Sequence, residues 1–576
     1  MNIPRDKAAS QRLQPALHPR ALAVCALLGL PVAHAIEIAT DNPDWSLRFD
    51  NTVKAGTIYR LKNANPVLVD TFRQIPTGAP PPAPASFSFP SAENFNAGDD
   101  NFRNKGFVSE RLDLLSEFDL VYKKTFGMRV SAAAWYDNAY RGKTDATDPV
   151  NGQTPIDEFP DHTKRIAGHN AEVLDAFVFG GFDLGDNQRL SVKLGQHALQ
   201  YGESLFFGDN AVAKAQGPVD INKLLSSPNA QFKELIRPVP QVSANLQLSP
   251  TISIGAYYQF RWEADRLAPA GSYFSTANIP WGSSQPEFVG IPAPAPFAGN
   301  YLLSAGSDQK PRNSGQFGAQ LKWRLDEADI GVYAAKFHDK DGQLFSNLNA
   351  RTPSASNWYY QFPEDIKVFG ASVSQSLGDF NVSAEASVRS NMPLRSQNIV
   401  YATGFGPTPQ IARGRTAHIN LSTLASLGRN FIARESGLVA EIAWNRVLSK
   451  NDPDAQLDAG RTRDATAIQF IYTPTYRQVL PGLDLGVPIG ARYTIDGNSS
   501  VTAWDAKGSG NVTLGLNGTY LGNWLVTLNY TKYVGKAAPF VDYSGLLPGG
   551  SGHAIYGLGN NLADRDNLAL SIRRTF

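Results

Sequence analysis

Residues 171–203 read AEVLDAFVFGGFDLGDNQRLSVKLGQHALQYGE, residues 204–238 read SLFFGDNAVAKAQGPVDINKLLSSPNAQFKELIRP, and residues 239–263 read VPQVSANLQLSPTISIGAYYQFRWE. The outer two pieces alternate apolar and polar residues. Leu190, Val192 and Leu194 oppose Arg189, Ser191 and Lys193. Ile252, Ile254, Ala256, Tyr258, Phe260 and Trp262 oppose Ser253, Gly255, Tyr257, Gln259 and Arg261. A period of two marks a strand with one apolar face. The turns at Asp183–Gln188 and Ser249–Pro250 are short, whereas the connection after Tyr201 is long. Strands of about ten residues joined by alternating short turns and long loops predict a transmembrane antiparallel β-barrel, an all-β fold.

Working outward, the same plan repeats. Strands are expected at Trp45–Arg60, Val108–Lys124 and Met128–Arg141, with a tight turn around Phe126-Gly127. Ser314–Leu325, Asp329–Asp339, Asp365–Gln375, Asn381–Arg389, Thr416–Ser426 and Leu438–Arg446 follow. Ala465–Thr473, Asp484–Thr494, Gly510–Tyr520, Trp524–Val534 and Asp564–Phe576 complete a barrel of about 18 strands, 16–18 within the error of strand ends. Residues 264–312 read as one long loop rich in Pro, Gly and Ser. In the second strand Leu112, Leu114, Phe118 and Leu120 take the lipid side and Arg111, Asp113, Glu117 and Asp119 the lumen, because a charge facing lipid costs roughly 2–4 kcal/mol at mid-membrane.

Composition agrees. No segment after the leader approaches the ~20 unbroken apolar residues of a spanning helix, and the formal net charge of +1 gives no reason to expect a nucleic-acid partner. Arg12 and Arg20, the apolar run Ala21–Leu30 and the small residues of Ala33-His34-Ala35 read as a signal peptide over residues 1–35, leaving residues 36–576 as the barrel. Cys25 is the only cysteine, and bulky Val24 before it argues against a lipoprotein site. Cleavage after Ala35 leaves a cysteine-free chain suited to an oxidising periplasm, so the expected location is the outer membrane of a Gram-negative bacterium. The last residues place Leu568, Leu570, Ile572 and Phe576 in one phase. A terminal strand ending in an aromatic residue is the expected signal to the barrel-assembly machinery, and outer-membrane lipids are the expected surroundings.

The blocks Leu174–Val178, Leu194–Gln196, Tyr201–Ser204, Pro218–Asp220, Lys233-Glu234, Tyr257–Trp262 and Gly271–Phe274 together resemble a proteobacterial family known only as domain of unknown function thirteen-zero-two. The sequence departs from that family's pattern at Gln196-His197, Tyr201 and Gly217. The resemblance implies an outer-membrane barrel on an envelope route for apolar molecules, with a periplasmic LolB-like protein and an inner-membrane transporter as possible partners.

Residues 201–238 are too long for a simple connection and hold a short helical piece at Val219–Leu225 opened by Pro218. They are either a constriction or hatch inside the barrel or an extracellular capping loop. Lys193, His197, Glu203, Asp220, Lys223, Glu234, Arg237 and Arg261 are the candidate pathway residues. The inward charges Arg48, Lys54, Arg111, Asp113, Glu117, Lys193, Arg261, Lys322 and Arg324 form either a selectivity ladder or a self-neutralising wall. Tyr257, Tyr258, Phe260 and Trp262 belong to an interfacial girdle or line an apolar groove. No nucleophile elbow, zinc-helix motif or phosphate loop is present; His197 beside Glu203 and Ser204 is the nearest hydrolase-like grouping. No cofactor or metal is called for. The expected function is a channel for small hydrophobic or amphipathic compounds of the fatty acid, sterol, ester or aromatic class. A structural or docking barrel in an export complex is the alternative from another class, and an outer-membrane hydrolase the third.

Overall fold

A computed structural model describes residues 36–38, 42–69, 97–146, 157–227, 232–291, 299–349, 351–397, 400–404, 406, 408–542 and 553–576. The signal peptide expected over residues 1–35 lies outside them. Eighteen antiparallel strands close into a barrel. They are β1 (Trp45–Arg60), β2 (Gly106–Tyr122), β3 (Phe126–Asp137), β4 (His169–Gly185), β5 (Gln188–His197) and β6 (Val239–Gln247). Next come β7 (Ile252–Gln259), β8 (Gln316–Leu325), β9 (Ala328–Phe337), β10 (Ile366–Leu377), β11 (Phe380–Pro393) and β12 (Arg413–Leu427). The circuit ends with β13 (Glu435–Lys450), β14 (Asp464–Leu480), β15 (Leu483–Gly486 continued by Ile489–Asp496), β16 (Gly510–Tyr520), β17 (Trp524–Val534) and β18 (Asn567–Thr575).

β1 pairs with β2 on one side and β18 on the other, which closes the sheet. Asn51 and Phe576 exchange backbone hydrogen bonds at 2.7 and 2.9 Å. Just past them the segment Ile36–Ile38 pairs with Leu47–Phe49 and continues that edge of β1. In lipid an unpaired edge has no solvent to satisfy it, so the closure is a physical requirement.

Faces follow the expected alternation. Val178, Leu194, Phe317, Val332, Phe369, Leu421, Leu514 and Leu570 are exposed on the outside, while Lys54, Arg111, Asp113, Glu385, His418 and Glu441 are buried inside. The turn between β2 and β3 falls on Lys123 and Lys124, both in left-handed conformation at φ 48° and 58°, not on Phe126-Gly127, which belong to β3.

The long connections carry structure that their composition hides. Glu287–Ile291, Gly299–Ala305, Gln343–Leu348, Asn357–Gln361 and Val400–Ala402 form a separate five-stranded sheet, so residues 264–312 are not simply loop. Its strands sit in the loops after β7, β9 and β11, above the barrel wall. Trp262, Ile279, Leu303, Leu344, Trp358, Tyr360 and Tyr556 pack into a core there. Trp262 is therefore no girdle residue: β7 ends at Gln259, and the Trp262 indole turns into the cap and donates to the Asp339 carbonyl at 2.9 Å. Tyr258 and Phe260 do face outward, whereas Tyr257 is buried on the lumen side.

Candidate functional site

The connection from β5 to β6 runs across the inside of the barrel. Its first half is bolted to the wall formed by β11, β12 and β13. Glu441 on β13 receives the Ser204 hydroxyl at 2.8 Å and the consecutive backbone N–H groups of Leu205, Phe206 and Phe207 at 3.1, 2.5 and 3.0 Å. Asn420 on β12 donates to the same carboxylate at 2.7 Å. Successive N–H groups turned toward one point form an anion nest, here filled by a wall carboxylate. Glu385 on β11 accepts from the backbone of Glu203 and Val212 at 2.8 and 2.7 Å. Arg389, four residues along the same strand face, donates to the Asp209 and Ala211 carbonyls. The Asn210 side chain takes a hydrogen bond from Asn445 at 3.1 Å and donates to the Trp444 carbonyl at 3.1 Å. Its Oδ1 also lies 2.9 Å from His418 Nδ1.

The second half contains a short helix, α1 (Ile221–Ser226), whose start Asp220 caps by accepting from the Lys223 backbone at 2.8 Å. The other Asp220 oxygen is held by Arg266, which also grips Glu172 on β4. Lys54 on β1 donates to Ser227 at 2.5 Å and lies 3.7 Å from Asp113 and 4.0 Å from Glu234. Lys223 stands over the Trp135 ring at 5.4 Å. Of the residues singled out in the sequence, Asp220, Lys223 and Glu234 thus lie together in this half, against β1 to β4. Glu203 pairs with Lys322 on β8 at 3.3 Å. Arg237 and Arg261 share Glu263 at 2.8 and 2.6 Å, beyond the end of β7. His197 contacts the Ser243 hydroxyl at 2.8 Å and the Gly195 carbonyl at 3.1 Å. Since Ser204 is committed to Glu441, the hydrolase-like grouping is not assembled.

Most inward charges neutralise one another. Arg48 meets Asp50, Arg111 meets Asp113, Arg129 meets Asp119 and Arg324 meets Asp329. The folded segment packs its apolar residues Tyr201, Val212 and Ala215 against Tyr257, Tyr333, Phe337, Ile366 and Val368. Phe177 and Phe179 on β4 keep partial exposure and Lys193 on β5 is exposed.

Above, the cap is tied down by buried ions. Lys214 of the folded segment bridges Asp265 and Asp341 at 3.1 and 2.8 Å. Burial pushes the Asp265 carboxyl up to about 7, despite the adjacent lysine; burial likewise brings the neighbouring Lys340 ammonium down to about 8. On the other side Arg60 and Arg565 both hold Asp99, at 2.8 and 2.7 Å, and Asp564. Glu385, Glu441, Asn210 and Arg389 escaped sequence reading. The wall residues sit on inward phases like any polar lumen residue, and only the partner segment makes them distinct.

A family model described as "Protein of unknown function (DUF1302)" matches residues 16–576. The chain belongs to this family. No curated protein matches this DUF1302 chain in sequence. Among solved structures it is similar to Acinetobacter baumannii OccAB3, at 9% identity and TM-score 0.40 over 92% of this chain and 99% of that one. It is also similar to the Pseudomonas aeruginosa outer membrane protein OpdK, at 10% identity and TM-score 0.40 over 92% and 98%.

Proposed function

We propose that this DUF1302 barrel is a passive outer-membrane channel for small hydrophobic or amphipathic compounds, with residues 201–238 as its constriction. One observation carries the reading: the segment Glu203–Val212 is anchored to lumen-facing Glu385, Arg389 and Glu441, on the far wall from the strands it leaves. An 18-strand barrel encloses a lumen too wide for selectivity unless something fills it. The fill here is partial, and Phe177, Phe179 and Lys193 line the part of the wall left partly open. Aromatic faces beside water suit solutes with an apolar body.

Planar-bilayer conductance of the refolded protein tests this. Deleting Asp209–Ser227 should raise single-channel conductance; an unchanged conductance overturns the constriction. The alternative reading is a structural or docking barrel in an export complex. A folded barrel that stays electrically silent, with or without the deletion, would select it.

A further inference from the structure

From the wall of β4 and β5 we infer that the lumen holds a binding site for amphipathic anions, in which Lys193 takes a carboxylate and Phe177 and Phe179 take the apolar body. The inference rests on the channel reading and names its substrate class. In register, Lys193 stands directly opposite Phe179 on β4 and opposite Ser243 on β6. Its ammonium lies 5.3 Å from the centre of the Phe177 ring. Phe177 in turn contacts Phe179 at 6.3 Å and His197 at 5.5 Å.

Two features set this place apart. The neighbouring inward cations are engaged, Arg129 by both oxygens of Asp119 and Lys322 by Glu203. Lys193, by contrast, has no carboxylate within ion-pair distance among the described residues. Of the acids on the same face of β4, Glu172 is taken by Arg266 and Asp183 by Arg189, and Asp175 is turned to Ser131, whose hydroxyl donates to it at 3.1 Å. The second feature is the pair of rings. Apolar surface facing lumen water is unfavourable in proportion to its area, and these two rings lie on the inward phase of a strand whose outward phase already supplies Val173, Val178 and Phe182 to lipid. A ligand with a charged head and a flat or chain-like body would cover the rings and neutralise the lysine together. A neutral solute would gain only the first.

Isothermal titration of the refolded full-length barrel in non-ionic detergent with phenylpropionate and with its methyl ester tests the site without requiring conduction. The acid should bind at least about fivefold more tightly than the ester, a difference of the size expected of a charge-assisted hydrogen bond in a wet site. Lys193→Gln should abolish that difference while leaving ester binding in place. The double variant Phe177→Leu, Phe179→Leu should weaken both ligands. Equal affinities for acid and ester in the parent protein, or a preference that survives Lys193→Gln, would overturn the proposal. Conductance is read separately, so a barrel that binds the acid yet does not conduct would refute the channel and keep the site.

Discussion

Ser204 and Glu441 are bonded at 2.8 Å although 237 residues separate them in sequence. The contact joins a connection leaving β5 to a strand on the other side of the barrel. It is one of five donors on a single carboxylate group, and that convergence makes Glu441 the strongest anchor of the folded segment.

Glu441→Gln should loosen this anchor. An amide places N–H against N–H in the nest, and each buried donor left without an acceptor costs about 1–3 kcal/mol. The expected outcome is a lower unfolding midpoint with the barrel's β-content retained. Current noise should also rise as the segment detaches, read in single-channel records.

Gly202→Ala tests the second anchor. Gly202 has φ +94°, and a Cβ there would collide with the Glu385 carboxylate and with Val212. The substitution should destabilise by more than the ~0.4–1 kcal/mol that a compatible Gly→Ala change adds and should lower the same midpoint, whereas Gly106→Ala, which meets open space, should not.

Asp265 gives a pH dependence. Its folded pKa of about 7 lies above the ordinary carboxylate value, so between roughly pH 4 and 7 the folded protein binds the extra proton. Stability then falls as pH rises through that window. Asp341, held below the ordinary range by Lys214, works oppositely and loses its contribution in stronger acid. Asp265→Asn should flatten the decline between pH 4 and 7, seen in thermal unfolding of the refolded barrel across pH.

Asp99→Asn removes the carboxylate shared by Arg60 and Arg565, both fully buried. Breaking a buried ion pair from one side costs about 3–5 kcal/mol. Protease cleavage within the long connections around Asp99 should accelerate well before the barrel itself unfolds.

The strands were legible because period two survives every change of residue type, and Leu190–Leu194 or Ile252–Phe260 state it plainly. The cap sheet was not. Asn357–Gln361 is five residues long, too short for alternation to emerge from a Pro- and Gly-rich background, and Trp262 continued an apolar phase after its strand had stopped. The anchors lay inside expected strands, with Glu385 in Asn381–Arg389 and Glu441 in Leu438–Arg446, but an inward glutamate looks the same whether it meets water or a nest. Only long-range proximity separates the two, and periodicity is blind to it.

The seam between β1 and β18 also bears on kinetics. Thr52 and Thr575, bonded at 3.0 Å, are 523 residues apart, so the first strand made waits for the last before its ladder is complete. Contacts of such separation form slowly because the intervening chain must be drawn together first. Until then both edge strands offer free backbone groups to any passing strand. Until the seam forms, this chain therefore stays open to misassociation, and anything that slows the meeting of its two ends lengthens that exposure.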